Sequence, residues 1–79
     1  MRLDKYLKVS RLIKRRTVAN DACDNERVLV NGKAARASYE VKEGDVIEIL
    51  FGQRTVKVQV VAVNEFANKN DAPAMYKEI

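Results

Sequence analysis

RVLVNGKAARA, residues 27–37, is where the chain changes period. Val28 and Val30 alternate with Leu29, a spacing of two that belongs to a strand with one face buried. Asn31-Gly32 follows at once. Both residues tolerate the positive φ of a two-residue hairpin turn, so this dipeptide is the strongest short hairpin signal. Residues Lys33–Ala37 then return as the second arm. An antiparallel sheet therefore begins at Arg27.

Toward the C-terminus the alternation continues. Glu43-Gly44 or Gly44-Asp45 turns the chain, and Val46–Phe51 reads as a strand. Gly52-Gln53 turns it again. Thr55–Val63 sets Val56, Val58 and Val60 against Lys57 and Gln59, a half-buried strand. Residues 64–79 are weakly patterned, with Pro73 breaking them and Met75-Tyr76 expected to pack back on the core. The expected division is a folded domain over 1–63 and a tail over 64–79, partly packed or flexible. Phe51 and Phe66 are read as core or tail contacts.

Toward the N-terminus the period is helical. Residues 2–13 place Leu3 and Leu7 four apart beside Tyr6, and Val9, Leu12 and Ile13 extend the apolar content. This predicts a short amphipathic helix. A second helix is expected over Arg16–Asp24, where Val18 pairs with Ala22 and Ala19 with Cys23. Thr17 or a neighbour is expected to cap its start. Asp24-Asn25-Glu26 ends it, Asn25 being tolerant of left-handed geometry. The class is α+β: two short helices packed on a small antiparallel sheet.

Composition narrows the chemistry. Seventy-nine residues make one small domain. One cysteine, Cys23, excludes an internal disulfide and a cysteine zinc cluster, and suits a reducing cytosol. It reads as a small buried hydrophobe. There is no His, hence no common general base or metal ligand, and no catalytic, metal or cofactor site is expected. No apolar run approaches the roughly 18 residues of a membrane span, and none follows the N-terminal charges as in a secretory signal. A cytoplasmic protein without membrane contact is the expectation.

Charge is the functional signal. Residues 1–16 hold seven Lys/Arg against one acid, a net +6, while the whole chain carries +4 and the remainder sums to −2. Such a concentrated patch reads as a site for a polyanion, nucleic acid first. Arg2, Lys5, Lys8 and Arg11 come from the first helical segment; Lys14, Arg15, Arg16 and Thr17 stand at the head of the second. Helix N-termini favour anions, so three cations there are a local conflict of the kind that marks function. Arg offers phosphate a planar fork, Lys a point charge. Asp4, lone among cations, either orients Arg2, Lys8 or Arg16 or stabilises its helix dipole. The bland alternative is a solvated basic face. A membrane-surface helix is weakly supported, since large apolar anchors are few and Trp is absent.

The run RLDKYLKVSRLIKRRTVANDA, then RVLVNGKAA, then VKEGDVIEI, resembles the small RNA-binding domain named after ribosomal protein S-four, the alpha-L motif. The match runs from Met1 to about Val63. Arg2 and Asp4 fall on the family's RLD opening and Arg16 on the arginine heading its second helix. By resemblance these positions carry function. One departure is at Glu26, where the family usually has Gly; either Asn25 takes the left-handed role or the turn is rebuilt.

Within the family the chain resembles a stand-alone form related to the heat-shock protein fifteen group. That resemblance implies a non-enzymatic factor of ribosome-associated quality control. It would bind large-subunit ribosomal RNA and tRNA on obstructed large ribosomal subunits, by shape, phosphates and 2′-hydroxyls. There it would assist C-terminal tailing of the stalled chain beside an RqcH-like tailing factor. Off the ribosome it would be a monomer. Rival readings are a heat-shock-type factor recycling free large subunits that carry nascent chain, and a protein-interaction module using the sheet edge. An RNA-modifying enzyme lacking its catalytic domain is disfavoured by the length and the missing acid/base cluster.

Overall fold

The computed structural model describes all 79 residues. Two helices, α1 (Leu3–Val9) and α2 (Arg16–Asp24), precede strands β1 (Val28–Val30), β2 (Lys33–Ala34), β3 (Val46–Phe51) and β4 (Arg54–Val60). A 3-10 turn at Ala72–Ala74 leads into β5 (Tyr76–Glu78). The five strands form one antiparallel sheet in the order β2-β1-β3-β4-β5. The expected α+β class is what the chain adopts.

Register explains the core. Val28 faces Ile49, Val30 faces Ile47, and Ile47 faces Val58, so the buried members of the alternation line up on one face. Leu3, Tyr6 and Leu7 of α1 and Ala19 and Cys23 of α2 close over that face. Truncating a central residue such as Ile47 to Ala would cost about 2–5 kcal/mol.

Asn31 and Gly32 both have positive φ, 53° and 84°, so the hairpin turn forms where the dipeptide places it. Asn31 also reaches across the fold. Its Oδ1 accepts Val46 N–H at 3.0 Å and its Nδ2 donates to Asp45 at 3.1 Å. Asp45 in turn accepts Lys42 N–H at 2.9 Å. The VNG and GD signatures are thus one clasp, tying the first hairpin to the head of β3.

Five expectations are corrected. α1 stops at Val9 although the apolar pattern runs to Ile13. Arg11 takes φ 66° and donates to the Lys8 carbonyl, a left-handed stop, and Ile13 is buried by the returning chain. Thr17 does not cap α2; the capping position is Arg15, and no side chain bonds there. After α2 the left-handed residue is Glu26 itself at φ 60°, not Asn25, whose φ is −96°. Glu26 N–H donates to Cys23 O and Arg27 N–H to Ala22 O, the paired bonds of a cap that usually carries Gly. Finally, β4 ends at Val60 and the second arm of the first hairpin at Ala34, both shorter than their patterns.

The C-terminal residues join the sheet. β5 pairs with β4, with Val60 opposite Tyr76. Met75 is buried, and its carbonyl accepts the Tyr6 hydroxyl at 2.7 Å. Burial, reinforced by Tyr76 nearby, raises the Tyr6 pKa, so it remains a donor. Phe66 and Phe51 are not core residues; both are exposed.

Candidate nucleic-acid interface

The interface is built from the start of α1. With no side-chain cap, its first amides are satisfied by the loop after β2: Leu3 N–H donates to Tyr39 O and Asp4 N–H to Ala37 O. These bonds fix Asp4 at the junction of both helices and the loop. Its side chain is only 3% exposed.

A buried carboxylate must be paired. Asp4 Oδ1 accepts Lys5 N–H at 2.8 Å and Arg2 Nε at 3.2 Å; Oδ2 accepts Asn20 Nδ2 at 3.2 Å and lies 3.3 Å from Arg16 Nε. Burial opposes ionisation here, but the bonds from Asn20, Arg16 and the Lys5 amide outweigh it, and the carboxyl sits below the ordinary carboxylate range. Both roles open to Asp4 fit its place: it lies in the first turn of α1 and accepts the Lys5 amide, and the cations it holds are Arg2 and Arg16, not Lys8. Their side chains stay about half exposed, at 50% and 47%. Each guanidinium is held by one edge and open on the other.

Asn20 is absent from the expected set. It lies four residues after Arg16, one helical turn along the same face of α2, and that spacing was its only sequence signal. Thr17 joins Asp4, Arg16 and Asn20 around a polar cleft beside this cluster.

A second feature lies alongside. Lys5, Lys8, Arg11, Lys14 and Arg16 line one groove, facing Glu65 and Ala67 of the C-terminal segment. Glu65 lies 3.9 Å from Lys5 Nζ. Arg16 lines both cleft and groove, which makes it the hinge of the basic surface. Arg11 and Lys14 also border a further hollow with Lys69, a cation outside the expected set. Arg15 stands apart: it is exposed and borders neither cleft nor groove. The left-handed residue Arg11 ends α1, and Arg11 and Lys14 beyond it line the same groove as Lys5 and Lys8.

A helix pair packed on a small antiparallel sheet is the architecture of an established domain class. The S4 domain matches residues 1–47, and the chain belongs to the S4 domain family. It is 52% identical over 77 residues to the RQC P-site tRNA stabilizing factor of Halalkalibacterium halodurans, across 98% of this chain and 88% of that protein. It is 51% identical over 76 residues to the factor of the same name from Bacillus subtilis, across 96% and 88%. Among solved structures, heat shock protein 15 of Vibrio cholerae, a trimeric structure, superposes with a TM-score of 0.92 at 26% identity, across 100% of this chain and 81% of that one.

Proposed function

We propose that this chain is a non-enzymatic, cytoplasmic RNA-binding factor of ribosome-associated quality control. It binds ribosomal RNA of the obstructed large subunit together with the tRNA held there. In doing so it assists the tailing of the stalled chain, working beside an RqcH-like tailing factor and standing as a monomer when off the ribosome. The observation that carries this reading is the basic surface centred on Arg16. Five cations face a single acid in the groove, and Asp4 aims Arg2 and Arg16 outward. That arrangement suits phosphates, which supply most of the affinity in nucleic-acid binding. The relatives' name, which specifies a P-site tRNA, supports tRNA as part of the ligand.

A salt titration of binding to large-subunit particles tests the electrostatic basis. The expected log–log slope is about −3 to −6, several phosphates being neutralised. A flat response overturns the reading. The likeness to heat shock protein 15 favours a second reading, recycling of free large subunits that carry nascent chain. Reconstituted tailing separates the two. If tail synthesis on obstructed subunits proceeds equally with and without this chain, the recycling role stands instead.

A further inference from the structure

Phe66 is 89% exposed, the most exposed of the large apolar side chains. A single exposed hydrophobe means little by itself. Its position gives it meaning. Its chain neighbours Glu65 and Ala67 both line the basic groove. Glu65 approaches Lys5 of α1, and Ala67 packs against the core. Asn64 Oδ1 accepts Phe66 N–H at 3.0 Å, and the Asn64 carbonyl accepts Ala67 N–H at 3.3 Å. The backbone on both sides of Phe66 is therefore folded and anchored, while its ring is left in water at the rim of a cationic groove.

We infer that Phe66 is a stacking platform for an unpaired nucleobase of the RNA whose phosphates occupy that groove. The inference rests on the RNA-binding reading above. An aromatic face accepts any base, and stacking is a principal way proteins hold bases splayed from RNA loops, bulges and ends. The acid beside the ring, Glu65, repels a phosphate from this part of the rim and leaves room for a neutral base. A protein partner fits less well, because the ring stands among charges and not in the contiguous apolar patch that marks such sites.

The chain contains no Trp, so Phe66→Trp installs a lone indole reporter. Three probes are offered: a stem–loop RNA with an adenine-rich loop, a blunt duplex of the same stem, and inorganic polyphosphate. Binding is followed independently by anisotropy. Indole fluorescence should be quenched by the stem–loop and left nearly unchanged by the duplex and polyphosphate. Phe66→Ala and Phe66→Leu should weaken stem–loop binding by about five- to 100-fold, the range expected for losing one stacked base, while Phe66→Tyr retains it. Duplex binding should be unaffected, and circular dichroism should confirm the fold. If the stem–loop binds without quenching and the Ala and Leu variants bind like the parent, the stacking role is wrong and the groove reading survives. If no RNA binds at all, the groove reading fails and this one with it. If Phe66→Ala binds RNA normally but loses large subunits, the ring meets protein and the inference is overturned.

Discussion

Arg16 and Asp4 are separated by twelve residues in the chain and by 3.3 Å in space, Nε against Oδ2. This pair joins the head of α2 to the first turn of α1. It spends one edge of a guanidinium on structure and leaves the other edge to solvent.

Asp4→Asn keeps the shape and removes the charge. It should cost about 1–3 kcal/mol at neutral pH, because the bonds lost are charge-assisted ones at a buried site. The folded-state pKa of Asp4 lies below its unfolded value. Its stabilisation is therefore complete above an unfolded pKa of about 3.9, and is lost as pH falls through the lower folded value. Urea unfolding at stepped pH checks this: the gap between parent and variant should close only on strong acidification. A gap constant down to pH 2 would show that Asp4 contributes no charge term.

Arg16→Ala should reduce affinity for large ribosomal subunits by about 1–3 kcal/mol, the value of a charge-assisted contact. Stability should fall by no more than about 1 kcal/mol, since the guanidinium is half exposed and Asp4 keeps its other partners. Lys57→Ala, in the middle of β4, is the control and should bind normally. Co-sedimentation with subunits reads the outcome. Normal binding by Arg16→Ala together with failure of Lys57→Ala would move the RNA face to the sheet.

Two residues with side chains occupy helix-ending positions that favour glycine, and they should respond differently. Glu26→Gly relieves φ 60° and should gain about 1 kcal/mol, raising the melting temperature by about 4–8 °C, with binding unchanged. Arg11→Gly relieves φ 66° and should also stabilise, but it removes a groove cation and should weaken RNA binding. Melting curves paired with binding isotherms test both. Equal binding by the two variants would remove Arg11 from the interface.

Cys23 should be inert in the native state. It is 2% exposed, and burial, aided by the charges of Asp4 and Asp24, pushes its thiol up to about 11. Alkylation near pH 8 should proceed only as fast as the protein opens, and urea should accelerate it sharply. Cys23→Ala should cost about 1 kcal/mol and leave RNA binding intact. Rapid labelling without denaturant would contradict the packing described here.

Local chemistry made α2, β3 and the first hairpin readable, because each announces itself within a few residues: i, i+4 pairs, a short β-branched and apolar run between turn residues, Asn-Gly. What escaped depends on partners far away. Nothing at Arg11 forbids a helix, and Leu12 and Ile13 continue the apolar pattern, so the stop at Val9 is invisible without the core that Ile13 fills. β5 is three residues long, too short for a period to show. In the candidate site, the cations were legible as a cluster and their grouping was not. Whether Asp4 would serve Arg2, Lys8 or Arg16 depends on the crossing of two helices; Asn20 is signalled only by its spacing from Arg16, and Lys69 enters only through the path of the C-terminal segment. Phe66 reads as a core or tail contact by residue type, and only its surroundings place it in solvent.

The bond from the Tyr6 hydroxyl to the Met75 carbonyl spans 69 residues. The same carbonyl also receives Val61 N–H and Ala62 N–H, so one acceptor gathers the first helix, the exit from β4 and the lead-in to β5. During synthesis Tyr6 emerges 69 residues before its acceptor. The helix pair and hairpins can form from local contacts as they appear. The closure that locks α1 in place must instead wait for Met75 and bear the entropy of a long loop. Because α1 carries part of the cationic surface, that surface is complete only once a residue far downstream has been added.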